Sequence, residues 1–144
     1  MKNEAIAALE PLVGDWKLTM TNAWFLDSMD TKVEERARIE WLDDAFLILR
    51  SWSDADERAW TWVFGRSDAN ERYEVLYHDD RGVARVFDMT FGDGGWTMSR
   101  EDPDFHQRIV STVEPDRITS QVDASEDGGK TWRKDFDLIW ERQG

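Results

Sequence analysis

The chain has 144 residues, a length that suits one domain with its own core, and it contains no cysteine. Disulfides and thiolate metal sites are therefore excluded. The formal net charge is −13, because 31 acidic residues stand against 18 basic ones. Binding to nucleic acid or to an anionic membrane surface needs clustered lysine and arginine, so we expect neither partner.

The N-terminal residues 1–6 contain no long apolar run. A secretory signal needs an apolar stretch of about 7–15 residues, and a membrane-spanning helix needs about 20. Because neither kind of stretch occurs in the sequence, we expect a cytoplasmic protein that does not cross a membrane.

A short helix is predicted over about residues 3–10, ended by Pro11, which disfavours helical backbone at the residue before it. Four apolar residues are spaced to share one face of this helix: Ala5, Ile6, Leu9 and Leu12. After Gly14 the apolar pattern changes from helical spacing to alternation, which is typical of strands.

Ten strands are predicted after the helix, separated by short connections rich in Asp, Gly, Asn and Ser. Connections this short join antiparallel neighbours, because parallel strands need crossovers of about a dozen residues or more. The predicted strands are 16–25, 31–41, 45–52, 59–65, 72–78, 83–91, 95–100, 105–113, 117–124 and 131–142.

Most of these strands alternate polar with apolar residues, so each has one face that must be buried. In the second strand, Val33, Ala37, Ile39 and Trp41 oppose a row of charged residues. One short helix cannot cover ten such faces, whereas closing the sheet on itself covers them and removes exposed edges. The sequence therefore predicts an all-β domain over 1–144, an up-and-down antiparallel barrel of about ten strands, with a two-sheet sandwich as the alternative.

The motif Gly14-x-Trp16, directly after the predicted helix, resembles the calycin superfamily, which includes the lipocalins and the fatty-acid-binding proteins. In that superfamily the tryptophan closes one end of the barrel, and an arginine near the end of the last strand packs across it. Arg142 stands at the matching place, and such a cation–π contact contributes about 0.5–2 kcal/mol. Residues 77–86 and 104–108 are similar to an uncharacterised bacterial branch of calycin-like domains.

Two features separate this chain from better-known calycin branches. Fatty-acid-binding proteins insert a helical lid between the first two strands, and the link at 26–30 is too short for one. Nitrobindin-like calycins, which hold haem, carry glycines after the first tryptophan, and 17–20 has none. We therefore expect no cofactor and no metal, and haem is disfavoured, although His78 and His106 remain formally available as axial ligands.

Several polar side chains are predicted on the apolar faces of the strands, where a charge without a partner is costly. Such groups form ion pairs, hold water or bind a ligand, and their convergence inside one barrel builds a typical small-molecule site. The residues concerned are Asn22, Glu35, Arg85, Arg100, Gln107 and Lys134. Two alternatives stay open: internal ion pairs between these groups, or outward orientation of some of these faces.

The favoured functional hypothesis is non-covalent binding of a small apolar or aromatic molecule inside the barrel. An anionic ligand would be held by Arg85, Arg100 or Lys134. Aromatic rings are predicted to line the site, namely Trp24, Trp41, Trp62, Tyr77 and Trp96.

Two other functions stay open. Calycin barrels host isomerases, cyclases and decarboxylases, and by that analogy Tyr73 or Tyr77 would act with Glu35, although the sequence contains no catalytic motif. A structural or interaction protein with a filled core is the second alternative. Segment 45–52 is apolar on both faces, which indicates a homodimer contact as one interpretation.

Residues 125–132 match the pattern Ser-x-Asp-x-Gly-x-Thr-Trp, which resembles the Asp box of sialidase propellers. In those proteins the motif is a hairpin in which serine and aspartate bond the turn backbone. A propeller needs at least about four blades of four strands, more than this chain supplies. The motif therefore predicts a structural hairpin here.

Overall fold

The computed structural model describes residues 3–55 and 58–144. Its ten antiparallel strands form one closed barrel, in which each strand pairs with its sequence neighbours and the first strand pairs with the last. The strands are β1 (Gly14–Thr21), β2 (Val33–Leu42), β3 (Phe46–Trp52), β4 (Trp60–Arg66), β5 (Tyr73–Asp79), β6 (Ala84–Gly92), β7 (Gly95–Glu101), β8 (His106–Val113), β9 (Arg117–Ser125) and β10 (Arg133–Gln143). The predicted all-β, up-and-down barrel is confirmed, and the sandwich alternative is wrong.

The N-terminal helix is shorter than predicted. It consists of α1 (Glu4–Ala7), capped by the side-chain oxygen of Asn3, and of a separate 3-10 turn at Glu10–Leu12. Pro11 explains the break, because proline lacks the N–H that a continuing α-helix would use. The predicted apolar face is buried, as shown by Ile6, Leu9 and Leu12. Among the described residues, no helix is long and apolar enough to cross a membrane.

The alternation of β2 produces the expected inner and outer faces. Ala37 and Ile39 are buried in the barrel core, whereas Arg36 and Arg38 are exposed and form ion pairs with aspartates on the surface. The same rule places the inward residues of the other strands in one continuous apolar core.

β1 ends earlier than the predicted limit at residue 25. Asn22 adopts left-handed backbone with a φ of 55°, which asparagine tolerates better than most residues, and this turns the chain out of the strand. Its side-chain amide donates to Asp137 at 2.7 Å. Trp24 consequently lies outside β1 with 51% of its surface exposed, so its predicted place on the inner face is wrong.

β10 contains an irregularity between Lys134 and Phe136, where its register with β9 shifts. A bulge reverses the alternation of the residues before it, because it inserts one extra residue into the strand. Lys134 therefore points outward and forms an ion pair with Asp137 at 2.9 Å. Its predicted position on the inner face of Phe136 and Trp140 is wrong.

One end of the barrel, which we call the closed end, is sealed by Trp16 and Arg142. The Trp16 indole N–H donates to the Leu12 carbonyl at 2.9 Å, and the Arg142 guanidinium carbon lies 4.3 Å from the centroid of the Trp16 ring. Gly14 has a φ of 144°, and a Cβ there would lie 2.4 Å from Arg142 Nη1. The packing of Arg142 on Trp16, expected from the resemblance, is confirmed.

The opposite end, which we call the open end, contains the β1–β2, β3–β4, β5–β6, β7–β8 and β9–β10 connections. Antiparallel order makes this assignment unambiguous, since every second connection lies at the same end of an up-and-down barrel. The closed end holds the remaining connections together with α1.

The outer surface carries a row of apolar side chains across β3 to β6. The strand register places Ile48 beside Val63, Val63 beside Leu76, and Leu76 beside Val86. Leu76 and Val86 are 41% and 54% exposed. The apolar outer face of β3 belongs to this row, and the homodimer contact at this strand stays a prediction.

Candidate ligand-binding cavity

A cavity of about 410 Å³ lies inside the barrel and opens at the open end. It extends inward from Trp60 to Trp62 and Trp140, whose ring centroids lie 5.8 Å apart. Sites for small molecules commonly have volumes of about 300–1,000 Å³. The barrel interior is therefore large enough for a molecule with one or two rings.

The inner walls of this cavity are almost wholly apolar. The aliphatic and phenyl side chains that line them are Met20, Phe87, Ile109, Val122, Phe136 and Leu138. The Ser120 hydroxyl also reaches the cavity, and it already accepts the Trp140 indole N–H at 3.2 Å and shares a hydrogen bond with Ser111. The deep part of the cavity thus offers shape and apolar contact to a ligand, while its one hydroxyl is satisfied by protein.

Two neighbouring rings, which we call the aromatic pair, line the cavity nearer the open end. They are Trp60 on β4 and Tyr77 on β5, with centroids 6.4 Å apart and planes inclined by 25°. Trp60 also contacts Trp62 at 5.1 Å between centroids. These rings form one aromatic cluster in the cavity, which can make ring contacts with an aromatic ligand.

Glu35, on β2, places a half-buried carboxylate in this cavity. Its Oε2 atom accepts the Trp60 indole N–H at 2.8 Å. Among the described residues, no lysine or arginine nitrogen lies within 4.0 Å of it. The carboxylate is therefore held by a neutral donor and keeps most of its capacity to accept hydrogen bonds.

Arg85, on β6, extends its guanidinium along the cavity. The guanidinium carbon lies 5.5 Å from the Tyr77 ring centroid and 5.1 Å from that of Phe105. Within the described ranges, it has no carboxylate within 4.0 Å and donates no hydrogen bond. An arginine held by aromatic faces alone keeps all of its N–H donors available for an anion.

Asp79 ends β5 and fixes the Tyr77 hydroxyl. Its Oδ2 atom accepts the Tyr77 O–H at 2.7 Å and an Arg81 N–H at 2.6 Å. These bonds, with that from Arg81 the strongest, hold the pKa of Asp79 well below its usual range. Burial, followed by the bond to Asp79, raises the pKa of Tyr77 to about 12. Tyr77 is therefore a neutral phenol near pH 7, with its proton directed at Asp79.

Gln107, on β8, is 8% exposed and also lines the cavity. Its amide donates to Asp135 at 2.9 Å, and the other carboxylate oxygen of Asp135 accepts the Trp24 indole N–H at 2.9 Å. The exposed Trp24 thus supports Gln107 from outside, through Asp135, and does not line the cavity.

The structure brings part of the sequence-predicted set together around the cavity. The members that line it are Glu35, Trp62, Tyr77, Arg85 and Gln107. The members that lie elsewhere are Asn22, Trp24, Trp41, Trp96, Arg100 and Lys134.

Arg100 is buried as its alternation predicted, but it is engaged by protein. Its guanidinium pairs with Asp102 at 2.6 Å and with Asp104 at 3.0 Å, and it stacks on Phe105 at 4.4 Å. Arg100 therefore pairs with two carboxylates of the β7–β8 connection, which were not among the polar residues predicted on the inner faces.

Two tryptophans predicted on the cavity wall lie elsewhere, one in the core and one packed against it. Trp96 is 3% exposed and packs edge-on against Trp62 and Trp140, with centroids 6.5 and 5.7 Å away. Trp41 lies towards the closed end, where its indole N–H donates to Glu10 at 2.7 Å. Both support the barrel behind the cavity and do not line it.

Trp60 and Trp140 line the cavity and were absent from the predicted set. The sequence contained a signal for Trp60, because it alternates with Trp62 and Phe64 and therefore shares their inner face. Phe25, which lies after β1 and contacts Phe136 at 6.0 Å between centroids, had no such signal. Its position depends on the turn at the end of β1.

The other residues considered for catalysis or haem binding lie outside the cavity. The Tyr73 hydroxyl donates to the Ala5 carbonyl at 2.5 Å at the closed end, so it forms no pair with Glu35. His78 is exposed on the outer face of β5, and His106 contacts Trp132. In the described part of the chain, no group of three or more His, Cys, Asp or Glu side chains could hold a metal ion.

The Asp-box segment forms the structural hairpin that was predicted. Asp127 accepts the Ser125 hydroxyl and the Thr131 backbone N–H, each at 2.8 Å. Hydrogen bonds from Thr131, its hydroxyl first, lower the pKa of Asp127 to about 2. Trp132 lies outside the barrel, where the Arg108 guanidinium stacks on it at 4.1 Å, so this motif is separate from the cavity.

Comparisons with known proteins bear on the fold alone. No protein-family model matches the chain, and no curated protein matches it. Among solved structures, the chain is similar to the crystal structure of Rv2717c from M. tuberculosis, with a TM-score of 0.66 at 12% sequence identity. The alignment covers 100% of both chains, which shows a shared barrel fold.

Proposed function

We propose that the protein binds a small aromatic anion, without covalent chemistry, in the cavity at the open end. The observation that carries this proposal is Arg85, an arginine without a carboxylate partner among the described residues, in a cavity with aromatic walls. Tyr77 and Phe105 orient the guanidinium and leave its donors to a ligand.

The expected contribution of each part follows from its chemistry. A planar ring stacks on the aromatic pair and fills the apolar interior, where burial contributes about 25 cal/mol per Å² of apolar surface. A carboxylate on that ring forms a charge-assisted hydrogen bond with Arg85, which contributes about 1.5–3 kcal/mol. Removal of that bond therefore weakens binding roughly tenfold to a hundredfold.

The calycin resemblance supports the same hypothesis at the level of architecture. The N-terminal helix, the Trp16 plug and Arg142 stacked on it at 4.3 Å fit a calycin-like barrel that is closed at one end and open at the other. Haem remains disfavoured in this proposal, because neither His78 nor His106 lines the cavity.

Titration calorimetry with 2-naphthoate and its uncharged analogue 2-naphthamide tests the proposal. We expect saturable binding of 2-naphthoate that also shifts the tryptophan emission. Arg85→Gln should weaken 2-naphthoate binding by at least tenfold and change 2-naphthamide binding by less than twofold. Arg50→Gln is the matched control, because Arg50 lies on the outer surface in an ion pair with Glu40.

Equal affinity of the wild type and Arg85→Gln for 2-naphthoate would contradict the proposal, as would no binding of either compound at millimolar concentration. Native mass spectrometry of the purified protein provides an independent test. An aromatic acid that co-purifies with the wild type and is lost from Arg85→Gln would support the proposal.

The two alternative functions, an enzyme and a structural or interaction protein with a filled core, have less support from the geometry of the cavity. For an enzyme, Tyr77 is a weak acid with a pKa of about 12 whose proton is held by Asp79, and Tyr73 lies at the closed end. For a filled-core protein, the cavity of about 410 Å³ is an unfavourable feature, since protein interiors are normally close-packed.

A further inference from the structure

The cavity contains a second charged side chain that has no opposite charge within 4.0 Å among the described residues. Glu35 lies on β2 and Arg85 lies on β6, and both line the same space. Between them along the barrel wall are β3, β4 and β5, and the last two of these strands carry the aromatic pair. The carboxylate and the guanidinium therefore stand on the two sides of one aromatic surface.

Direct contacts connect these four side chains in order. Glu35 Oε2 lies 2.8 Å from the indole nitrogen of Trp60, and the Trp60 ring lies 6.4 Å from the Tyr77 ring. The Arg85 guanidinium carbon lies 5.5 Å from the Tyr77 ring on the other side. A ring stacked on the aromatic pair would thus meet an acceptor at one edge and a cation at the other.

Both charges have unused hydrogen-bonding capacity. A carboxylate offers about four lone-pair sites, and in the described structure the side chain of Glu35 uses one of them for Trp60. A guanidinium offers five N–H donors, and none of those of Arg85 is bonded to a described residue. Partial burial among aromatic rings makes an unpaired charge costly, so a ligand that pairs with both groups gains more than one that pairs with either alone.

We propose that the ligand is amphoteric: an aromatic molecule with an anionic group for Arg85 and, on the far side of the ring, an amine or other N–H donor for Glu35. This inference rests on the proposed function and specifies the class of its ligand. Glu35 and Arg85 carry opposite charges, so a ligand with one group of each sign matches this pair. A second carboxylate on the ligand would instead face Glu35 and be repelled.

Four naphthalenes that differ only in their substituents test this inference by calorimetry. They are 2-naphthoate, 2-(aminomethyl)naphthalene, 6-(aminomethyl)-2-naphthoate and 2,6-naphthalenedicarboxylate. With the wild type, we expect the amino acid to bind at least tenfold more tightly than 2-naphthoate. The dicarboxylate should bind at least threefold more weakly than 2-naphthoate, and this comparison needs no variant.

Glu35→Gln is expected to remove the advantage of the amino acid over 2-naphthoate and to improve binding of the dicarboxylate. Glu34→Gln is the matched control, since Glu34 neighbours Glu35 in β2 but is exposed and pairs with Lys17 on the outside. Thermal unfolding of both variants checks that the barrel is retained.

The outcomes separate this inference from the proposed function. If 2-naphthoate binds through Arg85 but the aminomethyl group brings no gain, or if the gain survives in Glu35→Gln, the amphoteric ligand is ruled out and the anion site stands. If the dicarboxylate binds the wild type as tightly as 2-naphthoate does, the role of Glu35 is also ruled out. If none of the four compounds binds, both proposals fail.

Discussion

Each end of the barrel has an arginine stacked on aromatic rings, but the two arginines use their N–H donors in opposite ways. At the closed end, the Arg142 guanidinium stacks on Trp16 and donates to the backbone carbonyls of Pro11, Val13 and Pro115. At the open end, Arg85 stacks on aromatic rings and, within the described residues, donates to nothing.

The comparison shows that a cation–π contact does not by itself distinguish a structural arginine from a ligand-binding one. The two arginines differ in the use of their N–H donors. Those of Arg142 connect β10 to the residues before β1 and to the β8–β9 connection. Those of Arg85 bind no described residue and are available to a ligand. Stability should therefore depend on the closed end, and ligand binding on the open end.

The largest effect is expected from Trp16→Ala. Trp16 is 1% exposed, and truncating a buried tryptophan costs about 3–5 kcal/mol of unfolding free energy because it leaves a cavity and removes apolar contact. Trp24→Ala at the open end, where half of the side chain is exposed, should cost less than about 1.5 kcal/mol. Urea unfolding measures both, and equal losses would refute the division between the two ends.

A second, smaller effect compares the two arginines directly. Arg142→Gln should lower the unfolding free energy by about 2 kcal/mol, because it removes charge-assisted hydrogen bonds to backbone carbonyls. Arg85→Gln should change it by less than about 1 kcal/mol, since it loses ring contacts but no hydrogen bond to a described residue. A destabilisation of Arg85→Gln as large as that of Arg142→Gln would mean that Arg85 has a structural role.

The smallest effect concerns Tyr77 at alkaline pH. The pKa of the Tyr77 hydroxyl is raised from 10.0 to about 12, so the folded state favours the neutral phenol. The stability that the neutral phenol contributes is complete below pH 10 and is lost as the pH rises to about 12. A titration of tyrosine absorbance at 295 nm should show an ionisation near pH 12 that Tyr77→Phe removes and Tyr73→Phe retains. Ionisation of Tyr77 near pH 10 would instead contradict its burial and its bond to Asp79.

The fold was largely predictable because strand alternation is a local signal. Ala37 and Ile39 face inward and Arg36 faces outward, as their order in the chain requires. The exceptions arose where the backbone departs from regular strand geometry. Left-handed backbone at Asn22 and the bulge before Phe136 moved neighbouring side chains to the other face.

The candidate site was predictable only in part, for a related reason. Arg85 and Arg100 look alike in the sequence, since each alternates with apolar residues along its strand. The conformation of the β7–β8 connection brings Asp102 and Asp104 onto Arg100, while no such partner reaches Arg85 among the described residues. Alternation assigns a residue to the inner face, but it does not show whether a partner from a connection reaches it.

By itself, the sequence determined the antiparallel barrel and the inner face of most strands, because these depend on a period of two residues and on short connections. The contact between Trp16 and Arg142 was expected from the calycin resemblance and not from this pattern. Only the tertiary structure decided that Glu35, the aromatic pair and Arg85 line one cavity. They belong to β2, β4, β5 and β6, and their proximity follows from the curvature of the barrel wall and from the register of its strands. Such long-range geometry is not encoded in local alternation.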